Sequence, residues 1–288
     1  MNKQEAISIL KEHNQEHVIK RLEALEDDAA KKLISQVAMI DWKVVESIND
    51  KSDSSSEDKK IEPLEAVEIK DIKANKEKYT AKGVEAIKNG KVAAVLLAGG
   101  QGTRLGLDKP KGTLNVGVNK DLFLFGQLIR NLLDVVDMTG AYVPLYIMTS
   151  DKNNEDTVAF FEEHNYFGYD KDYVKFFIQS MVPSVDYNGK LYMESTDSLA
   201  MSPNGNGGWF LSLMAAGLDK DMEEKGVEYV NVFAVDNILQ RIADPAFIGA
   251  TMLAGAECGS KVVRKCEPEE KVGVMCRVNG HPSIIEYY

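Results

Sequence analysis

The sequence predicts an α/β fold built on a mainly parallel sheet with helices on both faces. Three observations predict it. The run VAAVLLA at 92–98 is short, apolar and bounded by turn signals, as a strand buried on both faces must be. Further strand candidates follow at 142–149, 173–178, 229–235, 273–278 and 283–287. Between several of them lie helical stretches, at 121–136, 154–164, 209–224 and 245–254. Strands alternating with helices make a parallel sheet covered on both sides. Ligands of such sheets bind beyond the C-terminal strand ends, which directs attention to the loops after Ala98, Ile178 and Val235.

Ahead of the first buried strand the pattern is different. Val18, Ile19, Leu22 and Leu25 recur on one helical face, as do Leu33, Ile34 and Val37, with charges between them. Asp27 and Asp41 are placed to cap the helices that follow them. The stretch NDKSDSSSEDKK at 49–60 is almost free of apolar residues and reads as an exposed loop. A second helical stretch, 75–88, leads into a turn at Asn89-Gly90. These features divide the chain into a helical N-terminal region, 1–88, and an α/β core, 89–288.

Composition excludes several function classes. Of 288 residues, 44% are hydrophobic and 27% charged, enough for one sizeable core and a smaller appended region. The net charge of -11 provides no general attraction for nucleic acid or anionic lipid. Three cysteines, Cys258, Cys266 and Cys276, are too few and too widely spaced for a zinc knuckle or a disulfide framework, and read as reduced thiols. The N-terminus has no apolar signal core and no apolar run approaches spanning length, so a cytoplasmic protein with no membrane partner is expected. His13-Asn14-Gln15-Glu16-His17 fits the string of an inverted zinc-protease motif, but so short a string recurs by chance and is set aside.

The loop after the first buried strand carries the chemistry. LAGGQGTRLG, 97–106, packs four glycines into one turn, which lets backbone N–H groups approach and cradle a phosphate chain. Arg104 and, in the following Pro110-Lys111-Gly112, Lys111 add positive charge where phosphate charge would collect. A tight structural turn with two incidental basic residues would read the same way. Two other phosphate loops are excluded by spacing. Gly100, Gly102 and Gly106 leave three residues in the last gap where the dinucleotide fingerprint needs two, and Lys111 precedes Gly112 where a Walker A loop needs Gly-Lys.

L-A-G-G-x-G-T-R-L followed by P-K resembles the signature of sugar-nucleotide pyrophosphorylases, and the form LAGGQGTRLG with PKG is similar to the eukaryotic-type UDP-N-acetylhexosamine pyrophosphorylases. UDP-glucose pyrophosphorylases carry a related but different loop. YIMTS (146–150), FFIQSMVP (176–183), MSPNGNGG (201–208), VDNIL (235–239), ADPAFIG (243–249), KVVRK, GVMCRVNG and IEYY resemble family blocks in the family's order, as does QEHVIKRLEAL near the N-terminus. The resemblance implies a Rossmann-like nucleotide-diphospho-sugar transferase fold with an N-terminal helical extension. It implies a uridylyltransferase that joins UTP and N-acetylglucosamine 1-phosphate into UDP-N-acetylglucosamine and pyrophosphate, with Mg²⁺ or Mn²⁺ as cofactor. A pyrophosphorylase for UDP-glucose or another UDP-sugar, and a catalytically silent nucleotide-binding protein of the same fold, are the alternatives.

Residue by residue, the resemblance implies nucleotide contacts from Leu97, Ala98, Gly99, Gly100, Gln179, Met201, Pro203, Gly205 and Asp236, with Arg104 and Lys111 in catalytic roles. It implies sugar contacts from Asn206, Gly273, Glu286 and Tyr287, and a metal ligand in Asp236. The residue types suit these roles, although each also has an ordinary reading. The Gln179 amide offers the donor and acceptor that complement the imide edge of uracil, yet a loop glutamine needs no such role. Gly205-Asn206-Gly207-Gly208 opens a helix, whose N-terminus favours anions. Asp236 follows VNVFAV at a strand end, where a carboxylate reaches phosphate through magnesium or simply forms a turn. Members of the family continue past the strand ending in Glu286-Tyr287, so an incomplete C-terminus is expected. The absent part would supply the rest of the sugar pocket, a second phosphate-binding lysine, a second metal ligand and a C-terminal domain.

Overall fold

In the computed structural model the described residues are 1–47, 59–102, 106 and 108–287. Most of the polar stretch expected at 49–60, and Arg104, lie outside them. The elements begin with α1 (Lys3–Glu12), α2 (Glu16–Ala24), α3 (Asp27–Ala38), α4 (Trp42–Ser47), β1 (Ile61–Pro63), α5 (Ile69–Ala74) and α6 (Lys76–Lys88). The alternating part follows as β2 (Val92–Leu97), α7 (Leu124–Thr139), β3 (Leu145–Thr149), α8 (Asn154–Glu163) and β4 (Val174–Ile178). A hairpin, β5 (Met181–Pro183) and β6 (Met201–Pro203), precedes α9 (Trp209–Ala215), α10 (Leu218–Glu224) and β7 (Tyr229–Ala234). Last come α11 (Pro245–Leu253), β8 (Val274–Val278) and β9 (His281–Ile285).

The chain forms two compact units, Met1–Ser55 with Gln179–Leu211, and Ser56–Ile178 with Ser212–Tyr288. This differs from a single division at 88/89 in two places: residues 59–88 join the second unit, and the hairpin segment joins the first. In the first unit, Leu10, Val18, Leu22, Leu33 and Val37 share one core with Leu191 and Leu199 of the hairpin segment. Gln15, 2% exposed, ties the two parts together. Its Nε2 donates to Gly189 O at 2.9 Å and its Oε1 accepts from Leu191 N–H at 3.0 Å. Asp41 caps α4 as expected, accepting from Lys43 N–H at 3.0 Å. Asp27 does not cap α3. It is the first helical residue, preceded by Glu26, and with Asp28 it places negative charge in the first turn, which suits the helix dipole.

The second unit holds a four-stranded sheet in the order β4-β3-β2-β7, every pair parallel. All of β2 up to Leu96 is buried, as its uninterrupted apolar run requires. Val92, Ala94 and Leu96 face the same core as Leu145, Ile147, Phe233 and the inner residues of α7. Tyr146 points to the other face, where its hydroxyl donates to Asp221 of α10 at 2.6 Å. Helices therefore cover both faces. The chain leaves β2 through α7 to β3 on one side and returns as β7 on the other, so the strand order reverses at β2. A second sheet, β1-β8-β9, is antiparallel.

Three boundaries shift for local reasons. β3 starts at Leu145 rather than 142, because Pro144 has no N–H and Val143 N–H is taken by the Tyr169 hydroxyl at 3.1 Å. The stretch 209–224 is two helices, because Gly217 takes φ 72° between them. β9 starts at His281, directly after Asn279 and Gly280, whose φ of 51° and 84° suit a two-residue hairpin turn. Elsewhere α6 and α11 touch backbone to backbone. A side chain at Gly83 would fall on the Pro245 carbonyl, and one at Gly249 on the Tyr79 carbonyl.

Candidate functional site

The glycine-rich loop hangs from the buried end of β2. Ala98 N–H donates to Met148 O at 2.8 Å, continuing the pairing with β3 for one more residue. Gly100 has nothing within 4 Å of the place a Cβ would take, so the loop offers open backbone there. The chain then folds back on itself. Gly102 N–H donates to Lys109 O at 3.1 Å, and Lys111 N–H to Gly100 O at 3.4 Å, which fixes Lys111 beside the start of the loop. Gly112 is buried and has no room for a side chain, because the Phe125 ring of α7 fills that space. The Pro110-Lys111-Gly112 run is therefore seated by core packing as well as by the loop.

Lys111 meets Asp236. The lysine Nζ donates to Asp236 Oδ2 at 2.7 Å, joining the loop after β2 to the residue just beyond β7. β2 and β7 are the neighbours between which the strand order reverses, the crevice where ligands of open α/β sheets bind. The Lys111 hydrogen bond and charge hold the Asp236 carboxyl below the usual carboxylate range, against partial burial that pushes it up. Asp236 is thus an ionised carboxylate at neutral pH. Its side chain is 56% exposed, which leaves it reachable by a ligand.

Asn153 is a residue the sequence reading missed. It is fully buried at the N-cap position of α8, yet its side chain makes no bond to that helix. Its Oδ1 accepts from Ser150 N–H at 2.8 Å, and its Nδ2 donates to Ala98 O at 3.0 Å and Gly100 O at 3.4 Å. An asparagine ahead of a helix reads as a cap. Nothing in the local sequence says that its partners lie on another strand. Thr149 extends the same arrangement, with its hydroxyl within hydrogen-bonding distance of Phe177 O at 3.1 Å, so side chains tie the ends of β2, β3 and β4 together.

Gly273 and Glu286, distant in sequence, are brought together by the register Val274↔Ile285 of β8 and β9. A Cβ at Gly273 would stand 3.5 Å from both Glu286 carboxylate oxygens. Tyr287 follows, 51% exposed. Leu97 and Gly99 flank Ala98 in the second unit, whereas Gln179, Met201, Pro203, Gly205 and Asn206 belong to the first. Gln179 is 5% exposed, and its side-chain amide has no hydrogen-bond partner among the described residues. Met201 and Pro203 pair with Pro183 and Met181 in the β5–β6 hairpin. Gly205 has open space at its Cβ position and precedes the short helical turn Asn206–Gly208 that leads into α9. His13 and His17 are engaged otherwise than by a metal: His13 stacks on Trp42 at 4.0 Å and His17 contacts Leu191 O at 2.7 Å.

Among the described residues no three His, Cys, Asp or Glu side chains converge as a metal cage. The site still fits magnesium, which takes one or two carboxylates and completes its shell with phosphate oxygens and water. Asp236 is such a carboxylate, ionised and reachable, and Lys111 bonds its Oδ2 and not its Oδ1. Among the described residues no helix is long and apolar enough to cross a membrane.

Comparison with known proteins agrees with this fold. The family described as UTP–glucose-1-phosphate uridylyltransferase matches residues 36–288. UDP-N-acetylhexosamine pyrophosphorylase-like protein 1 of Mus musculus is 45% identical over 216 residues, covering 73% of this chain and 43% of its own length. UDP-N-acetylglucosamine pyrophosphorylase of Saccharomyces cerevisiae is 40% identical over 244 residues, covering 81% of this chain and 51% of its own. The crystal structure of the uridine diphosphate N-acetylglucosamine pyrophosphorylase from Trypanosoma brucei in complex with inhibitor superposes with a TM-score of 0.81 at 30% identity, over 100% of this chain and 61% of that one. The chain thus spans about half the length of the relatives it matches.

Proposed function

Because the chain belongs to the UTP–glucose-1-phosphate uridylyltransferase family, on its UDP-N-acetylhexosamine pyrophosphorylase branch, we propose that it binds UTP and transfers the uridylyl group to N-acetylglucosamine 1-phosphate. The observation that carries this reading is the Lys111–Asp236 pair at the ends of β2 and β7, beside a glycine loop with open backbone. A cation, a carboxylate and a glycine loop whose backbone a ligand can approach suit a triphosphate. The relatives' names supply the acetylated sugar.

In the proposed reaction an oxygen of the sugar 1-phosphate attacks the α-phosphorus of UTP. A new phosphorus–oxygen bond forms as the bond to the β-phosphate oxygen breaks, and pyrophosphate leaves with the electron pair. The attacking oxygen is already an anion, so no side chain need remove a proton. The work of the protein is positioning and charge neutralisation. Lys111, and Arg104 of the same loop, would balance charge on the departing pyrophosphate. Asp236 would hold Mg²⁺, which when bound neutralises phosphate charge. The Gln179 amide would pair with uracil, and Met201, Pro203 and Gly205 would line the nucleoside. On the sugar side, Asn206, Gly273, Glu286 and Tyr287 would meet the acetylated ring, with the Glu286 carboxylate accepting from its hydroxyls. Nothing in the site calls for nucleic acid, and a cytoplasmic location fits these small soluble substrates.

The test is pyrophosphate release by this chain with UTP, Mg²⁺ and N-acetylglucosamine 1-phosphate. Release that falls at least tenfold with glucose 1-phosphate is the expected result. Equal release with both sugars would point instead to a broad UDP-sugar pyrophosphorylase. A chain that neither releases pyrophosphate nor binds UTP would overturn the proposal.

A further inference from the structure

We infer that Asn153 is a positioning residue for the nucleotide, setting the direction in which the glycine loop presents its N–H groups. The inference rests on the reading of that loop as the triphosphate site.

The geometry begins with a forgone bond. Asn at an N-cap ordinarily turns its side-chain oxygen onto the first-turn N–H groups of its own helix. Asn153 does not, and its fully buried amide is spent on Ser150 N–H, Ala98 O and Gly100 O. Two of these three partners belong to the loop after β2, 53 and 55 residues away in sequence. The amide thus leaves α8 without a side-chain cap in order to hold two carbonyls of the glycine loop.

Holding those carbonyls has a consequence for the next atom along. In a trans peptide the C=O and the following N–H point in opposite directions, and among the described residues no peptide is cis. With Ala98 O and Gly100 O drawn toward Asn153 on the β3 side, Gly99 N–H and Gln101 N–H are turned away from it. Neither of these N–H groups donates to another backbone carbonyl among the described residues. For Gly99, whose peptide continues the line of β2, away from β3 means toward β7, beyond whose end stands Asp236. A glycine loop without this anchor can rotate the Ala98–Gly99 peptide and point a carbonyl at phosphate, which repels it. The buried amide removes that alternative there, and at Gly100 O it shares the hold with Lys111 N–H.

The experiment compares Asn153→Ser with Asn153→Asp and a control, Thr149→Val. Serine can cap α8 but is too short to reach the loop carbonyls. Aspartate keeps the acceptor for Ser150 N–H and loses the donors. Thr149→Val removes a neighbouring hydroxyl whose partners, Asn154 Oδ1 at 2.7 Å and Phe177 O at 3.1 Å, lie outside the loop. The readouts are the melting temperature and the UTP dissociation constant in Mg²⁺, with pyrophosphate release as a third. The expected result is a loss of UTP affinity of at least tenfold in both Asn153 variants, while Thr149→Val, even if it melts lower, binds UTP within twofold of the parent. The Gly99 and Gln101 amide resonances of the parent should also shift when Mg²⁺-UTP is added. If the parent binds UTP and folded Asn153→Ser binds it equally well, the positioning role is overturned while the site stands. If the parent binds no UTP, the site reading falls and this inference falls with it. If both Asn153 variants fail to fold, the parent decides: Gly99 and Gln101 amide resonances that do not move while UTP binds overturn the inference as well.

Discussion

Lys111→Met separates what the Lys111–Asp236 pair does for the fold from what it does for a ligand. The two side chains are 29% and 56% exposed, so water screens their attraction and the pair contributes about 0–1 kcal/mol to stability. The sign agrees with this small value at neutral pH. Asp236 titrates below its ordinary value because Lys111 hydrogen-bonds to it, so its contribution is present above the usual carboxylate range and lost only as pH falls through the lowered one. A melting temperature within about 4 °C of the parent follows for a unit of this size. Binding should behave differently. A charge-assisted hydrogen bond to phosphate is worth about 1.5–3 kcal/mol, which is roughly ten- to 150-fold in the UTP dissociation constant. Calorimetric titration of Mg²⁺-UTP beside thermal melting, both at pH 7.5, measures the two terms. Unchanged affinity would refute the assignment of Lys111 to phosphate. A fall of more than about 8 °C would refute the claim that the pair is cheap to the fold.

Three further outcomes are expected. Gly249→Ala forces α6 and α11 apart, because its methyl group falls on the Tyr79 carbonyl; overpacking of this kind costs about 1–3 kcal/mol, seen as a lower urea midpoint, and an unchanged midpoint would show that the helices separate freely. Burial pushes the Asp221 carboxyl up, but hydrogen bonds from Lys175, Lys225 and Tyr146 outweigh it and bring it to about 2. Its contribution to stability is therefore full above the ordinary carboxylate value and lost as pH falls toward 2. Asp221→Asn should be less stable than the parent at pH 7 and should lose less between pH 5 and 2 by urea titration. Gln179→Leu should weaken UTP more than it weakens pyrophosphate, since only the base meets the amide; equal weakening of both would remove Gln179 from the uracil pocket.

The sequence made the second unit's sheet legible because its signals are local. β2 is one unbroken apolar run and its loop follows within two residues, so strand, loop and Lys111 could be placed from adjacent letters. Asp236 was legible for the same reason, as the residue after a β-rich run. What escaped depends on contacts without local periodicity. The hairpin segment's Leu191 and Leu199 belong to the core of the N-terminal helices, and two apolar residues eight apart in an irregular stretch announce no partner. Asn153 reads as a helix cap because capping is the common use of an asparagine there; its bonds to Ala98 and Gly100 arise only from strand order. The start of β9 is a different case, since Asn279-Gly280 is a strong local hairpin signal that places it two residues before the expected 283. Gly217, by contrast, sits in a stretch where helix continues on both sides, and only its positive φ marks the break.

The contact between α6 and α11 restricts which sequences this unit accepts. α6 ends four residues before β2, and α11 begins nine after Asp236, so the pair fastens the entry to one strand of the crevice and the exit from the other. At Gly83 and Gly249 the neighbour is a carbonyl of the main chain, which has no rotamer with which to yield. A library randomised at both positions and selected for the most stable protein should be enriched in glycine at each, whatever it returns around them. Elsewhere on these helices a side chain can turn aside; at these two positions the helices themselves must move.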